Sequence, residues 1–104
     1  MSHRDWQEPL ENQLGDLLVP VIPNDLSSIQ FEIELIDDGL VVATFSPEIE
    51  QYVNAPIPIS GIESIHKLFS EFINRNLDLS KCNILIFWNG DQWQMKINYF
   101  YKND

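Results

Sequence analysis

The 104 residues suffice for one domain around one core and leave no length for a second. With 44% apolar and 21% charged residues, the chain has the make-up of a folded protein, not a disordered one. Its formal net charge of −10 disfavours nucleic acid as a partner, because that affinity rests on Lys and Arg neutralising phosphates.

The charge is unevenly spread. Asp5 to His66 carries twelve acids and no Lys or Arg, whereas Lys67 onward carries five basic residues against four acids. Such an imbalance bears on partners and solubility more than on fold. Two readings stand: the general acidity of many soluble bacterial proteins, or a surface shaped to meet a basic partner. The longest apolar run, LLVPVIP, is broken by prolines, so no bilayer span is expected. The opening MSHRDWQEP has no apolar signal segment, and Asp5 and Glu8 argue against a transit peptide. Cys82 is the one cysteine, which excludes a disulfide framework and a cysteine-based zinc site. A cytosolic location is the expectation.

Trp6, Leu10, Leu14, Leu17, Leu18 and Val21 recur at helical spacing, with Pro9 suited to a first turn and Pro20 and Pro23 ending the element. SSIQFEIELIDDGLVVATFSPE reads as a hairpin with a three-residue Asp37-Asp38-Gly39 loop. That loop pairs Phe31 with Phe45, Ile33 with Ala43 and Leu35 with Val41, giving one apolar face and one bearing Gln30, Glu32, Glu34 and Thr44. Tyr52, Val53, Ile57 and Ile59 suggest a third strand, which Pro56 and Pro58 restrict to an edge. Ser60 to Glu63 has the pattern of a capping box, and Ile62, Ile65, Phe69, Phe72, Ile73 and Leu77 then form one helical stripe. NILIFW and QWQMKINYFYK flank Asn-Gly-Asp as a second hairpin. Its alternation puts Ile84, Ile86, Trp88, Trp93, Met95, Ile97, Tyr99 and Tyr101 inside, and Gln92, Gln94, Lys96, Asn98, Phe100 and Lys102 outside. The expected fold is α+β, in the order α-β-β-(β)-α-β-β, with both helices packed on an antiparallel sheet of four to five strands.

Little catalytic chemistry is legible. His3 and His66 lack the paired spacing of a zinc site, no phosphate-binding glycine loop or GxSxG is present, and no cofactor motif occurs. Asp37 and Asp38 suit turn chemistry without a metal. Glu32 and Glu34 share a strand face and would serve as an acid/base pair only inside a pocket. With Asp37, Asp38, Glu48 and Glu50 they make an acidic region around the first hairpin. Like charges so placed are explained by a basic partner or by protection against edge-to-edge sheet pairing. Tyr52 and Phe100, aromatics among polar neighbours, are the candidate anchors of a docking surface.

An N-terminal helix closing on proline, NQLGDLLVPVIP, and the ending NGDQWQMKINYFYKND resemble those of YezG-like immunity proteins, antitoxins of bacterial polymorphic and LXG-type toxins. The resemblance implies a cytosolic immunity protein that binds a basic toxin domain such as a nuclease, with neither catalytic residues nor a cofactor, as monomer or homodimer. The alternatives are an acidic secretion chaperone that wraps an effector segment and, below it, a small carboxylate-dependent enzyme.

Overall fold

The structure, a computed structural model, describes residues 6–37, 39–75 and 77–102. Trp6 stands at the entrance to α1 (Gln7–Leu18), and Pro9 falls in the first turn, where its missing N–H is not needed. Leu10, Leu14 and Leu18 are buried at helical spacing, joined by Gln7. A 3-10 turn, Val19–Val21, contains Pro20 and ends the element.

β1 (Ser28–Ile36) and β2 (Gly39–Ser46) form the first hairpin, but in a register one residue away from the expected one. Gln30 pairs with Phe45, Phe31 with Thr44, Ile33 with Val42 and Ile36 with Gly39. The connection is therefore two residues long, and Gly39, at φ 141°, is the first residue of β2 and not the last of the loop. A one-residue slip turns every side chain of a strand to the other face. Leu40, Val42, Thr44 and Ser46 thus join Phe31 and Ile33 inside, while Val41, Ala43 and Phe45 come to lie beside Glu32 and Glu34. Thr44 is satisfied there by donating from Oγ1 to the Val53 carbonyl.

β3 (Gln51–Tyr52) adds two residues to the edge of β2. The expected strand stops at Tyr52, because prolines at 56 and 58 cannot donate to a ladder. α2 (Ile59–Asn74) starts directly behind Pro58, whose φ of −65° suits helix entry. Ser60 consequently lies inside the first turn, and the capping box does not form. Gly61, Ser64, Ile65, Leu68, Phe69 and Phe72 make the buried stripe. Ile73 and Leu77, expected on it, are 51% and 40% exposed, and Leu68 takes the inward place.

β4 (Leu79–Trp88) and β5 (Trp93–Tyr101) pair Ile84 with Ile97, Ile86 with Met95 and Trp88 with Trp93, as their alternation requires, but Trp88, expected inside, is 45% exposed at the turn end of the strand. Asn89 Oδ1 accepts from the N–H groups of Asp91 (2.9 Å) and Gln92 (3.0 Å), which fixes the turn. The sheet runs β3-β2-β1-β4-β5, antiparallel throughout.

Both helices bury the face that carries Ile29, Phe31, Ile33, Cys82, Ile84 and Ile86. Phe72 is the centre of that layer, with Trp6 edge-on at 4.9 Å and Tyr99 tilted at 4.7 Å. Arg75 closes the seam between the helices, with its guanidinium 4.8 Å from the Trp6 ring centroid and 3.6 Å from Glu71. Among the described residues no second layer covers the opposite face of the sheet.

Cys82 is wholly buried in β4, and burial pushes its thiol up to about 12 from an ordinary 9.0. A raised folded-state pKa stabilises below the unfolded value and is lost as pH climbs to the folded one. Stability should therefore fall by roughly 1.4 kcal/mol per pH unit between about 9 and about 12 from this thiol alone. In a Cys82→Ala variant that slope should shrink. A thiol reagent at neutral pH should label Cys82 only as fast as the protein opens.

Candidate protein-docking face

The uncovered face is set by strand alternation. β1 contributes Gln30, Glu32 and Glu34, β2 contributes Val41, Ala43 and Phe45, and β3 contributes Tyr52. From the other side of β1 come Lys81, Asn83, Leu85 and Phe87 on β4, then Gln94, Lys96, Asn98 and Phe100 on β5. Three inter-strand spacings of about 4.8 Å along strands roughly 27 Å long, with the short β3 added, give a patch of about 400 Å², which is about half of the ~800 Å² that each partner buries in a standard interface.

Glu32 sits at its middle with both carboxylate oxygens held. Tyr52 Oη donates to Oε1 at 3.1 Å, and Gln30 Nε2 donates to Oε2 at 3.2 Å. The bond to Glu32 raises the Tyr52 hydroxyl's pKa above its usual value, so the phenol remains a donor at neutral pH. The Tyr52 ring meets Phe45 edge-on at 5.1 Å, which leaves the ring 64% exposed but fixed in direction. A shallow depression runs along β1 between Glu32, Glu34, Val41, Ala43, Lys81 and Asn83, where the small Ala43 leaves the carboxylates accessible. Such a surface offers oriented acceptors framed by apolar side chains, the composition of a protein interface.

The candidate residues from the sequence divide into groups. Glu32, Glu34, Tyr52 and Phe100 share the uncovered face, with Tyr52 and Phe100 on its opposite edges and four residues out of line along the strands. Asp37 lies at the tip of the first hairpin, and Asp38 lies outside the described residues. Glu48 belongs to the other end of that hairpin. Its Oε1 accepts from the Ser27 N–H, from Ser27 Oγ at 3.0 Å and from Ser28 Oγ at 3.3 Å. The Ser27 backbone bond is the main reason its carboxyl is held below the usual range. Glu48 thus pins the start of β1 to the β2–β3 turn and is occupied before any partner arrives. Glu50 serves that turn with a φ of 55°, in the left-handed region where a side chain costs about 1–2 kcal/mol. Glu50→Gly should raise urea-unfolding stability by about 0.5–1 kcal/mol, the strain relief less the entropy of glycine.

No family model matches the chain, and no curated protein matches it significantly.

Sequence reasoning placed Lys96 on the outer side of the second hairpin but missed Lys81 and the meeting of these lysines with the acids of β1. Lys81 stands opposite Glu34 and Lys96 beside Leu85, so cations from the last third of the chain flank the acids of the first. Lys81 Nζ lies 5.2 Å from the Phe100 ring centroid, and Lys96 Nζ lies 5.8 Å from that of Phe87. The alternation of Asn83, Leu85 and Phe87 against Ile84 and Ile86 was the available signal.

A second carboxylate occupies a cleft. Glu11 on α1 accepts from Tyr99 Oη at 2.5 Å in a groove between that helix and β5. Burial, and then the bond to Glu11, push the Tyr99 hydroxyl far above its usual range. The Tyr99 phenol keeps its proton near neutral pH and, by donating it to Glu11, ties helix to sheet. Among the described residues no group of three or more His, Cys, Asp or Glu is placed to hold a metal ion, and no helix is long and apolar enough to cross a membrane.

Proposed function

We propose that this chain is an immunity protein of the YezG-like kind. It binds a basic toxin domain, such as a nuclease, through the uncovered face of its sheet and so neutralises it. The observation that carries this reading is Glu32, both oxygens oriented by Tyr52 and Gln30, in the middle of an uncovered face that also bears Val41, Ala43, Phe45 and Leu85. A fixed carboxylate loses little freedom when it meets an Arg or Lys, and the surrounding apolar surface excludes water from the contact. The net charge of −10 adds long-range attraction, which raises the rate of capture of a basic protein. Speed matters to a cytosolic antitoxin, because its partner acts as soon as it is free.

Glu32 and Glu34 would stand where the toxin's phosphate-bearing substrate otherwise binds, with Lys81 and Lys96 to the β4 and β5 side of them. The mechanism is then occlusion by charge mimicry, with Tyr52 and Phe100 as aromatic contacts at the two edges of the footprint. The test is co-expression with the toxin domain encoded beside this chain's gene. Rescue of growth and a folded toxin domain co-purifying with the protein are the expected results. A dimer of this chain wrapped around an unfolded effector segment would overturn the reading in favour of a secretion chaperone.

A further inference from the structure

Independent of what covers the outer face, a second docking site follows from the free edge of the sheet. β5 is the last strand in the order, and the turn-proximal part of its outer edge, from Trp93 to Ile97, has no strand beside it among the described residues. The other edge, β3, has only two residues. A free edge presents unpaired N–H and C=O groups and is a template for an added strand.

A groove of about 820 Å³ borders the turn-proximal part of that edge, between α1 and β5. Its sheet side is Trp93 and Met95, and its helix side carries Glu11 and Asp16. Gly15 lies between those two acids in the middle of α1, where glycine costs a helix about 1 kcal/mol against alanine. A Cβ there would meet only the Met95 thioether, at 3.6 Å, which is ordinary contact. Packing therefore does not demand glycine at this point. What its missing side chain provides is open space, because Gly15 itself lines the groove.

We propose that the β5 edge and this groove bind an extended basic segment of a partner protein, added as a sixth strand. Alternate side chains of such a strand point towards α1, where Asp16, together with the Glu11 carboxylate that also accepts from Tyr99, favours Lys or Arg beside Trp93. The remaining side chains point outward, beside Gln94, Lys96 and Asn98, and should be neutral or acidic. A second copy of this chain is a poor occupant. Pairing of two β5 edges brings two chains of charge −10 together.

The probe is a short capped peptide alternating lysine and threonine, titrated into the isotope-labelled protein at low salt. Amide shifts are expected in β5 and at Asn12, Gly15 and Asp16, with binding at least tenfold weaker after Asp16→Lys and lost after Gly15→Leu. Gly15→Ala, which fits the observed space, should raise the melting temperature and keep some binding. Reversing Glu32 and Glu34 on the outer face should leave the shifts in place, which separates this site from the one proposed above. A peptide of the same sequence with alternate backbone nitrogens methylated should not bind. Equal binding of the methylated peptide, or shifts confined to the outer face, would overturn the proposal in favour of diffuse charge attraction.

Discussion

Phe72→Ala should destabilise the protein by about 3–5 kcal/mol, while Phe87→Ala should cost about 1 kcal/mol or less. Both residues are phenylalanines in regular structure, and the contrast follows from which side of the sheet each one serves. Phe72 is 1% exposed and packs against Trp6, Tyr99 and Tyr101, so its removal leaves a cavity that α1, α2 and β5 must all line. Phe87 projects from the uncovered face and is only part-buried, so truncation leaves no enclosed cavity and removes surface contacts such as that with Lys96. A loss of that size is a large share of the 5–15 kcal/mol that holds a typical domain together. At roughly 4–8 °C per kcal/mol, Phe72→Ala should lower the melting temperature by about 20 °C. Similar losses for the two variants would mean that the outer face is covered.

Reversing Glu32 and Glu34 to Lys together should slow association with the toxin domain by about a hundredfold at low salt. The same change should alter folding stability by less than about 1 kcal/mol, because both sites are strand positions on a solvated face. Two effects add in the rate: the loss of oriented acceptors and the creation of a basic row beside Lys81. The wild-type rate should fall steeply with added salt and the variant's rate less steeply, because the variant keeps most of the chain's negative charge. Glu48→Gln offers a control, since Glu48 bonds Ser27 and Ser28 at the end of the hairpin and lies off the face. It should leave association within about twofold of wild type and instead weaken the turn.

Much of the architecture was legible because the strongest signals are periodic. The leucines of α1 and the alternation of β4 and β5 admit one inward face each, and the structure uses it. β2 was different. Leu40, Val42, Thr44 and Ser46 alternate with Val41, Ala43 and Phe45, and both sets suit a strand, so composition does not choose between them. The choice falls to the loop, which is one residue shorter than Asp-Asp-Gly suggests. The consequence reaches the site, because the shorter loop places Ala43 and Phe45 beside Glu32.

The acids illustrate the other limit of one-dimensional reading. Glu32 and Glu48 are 16 positions apart, and by charge alone they are equivalent members of one acidic region. In three dimensions Glu32 is aimed outward by Tyr52 while Glu48 is consumed by two serines. Nor does the sequence reveal that Lys81, 47 positions after Glu34, returns to stand opposite it. Antiparallel pairing of β1 with β4 across an intervening helix makes that contact, and long-range pairing is what a local pattern leaves out.

Amide-shift mapping of the labelled protein in complex with its toxin domain reads the docking surface directly. The largest changes should fall on outward residues of the sheet, Glu32, Glu34, Ala43, Phe45, Tyr52 and Leu85, with α2 unaffected. A footprint centred on the helices, with these six residues unmoved, would contradict the assignment of the open sheet face.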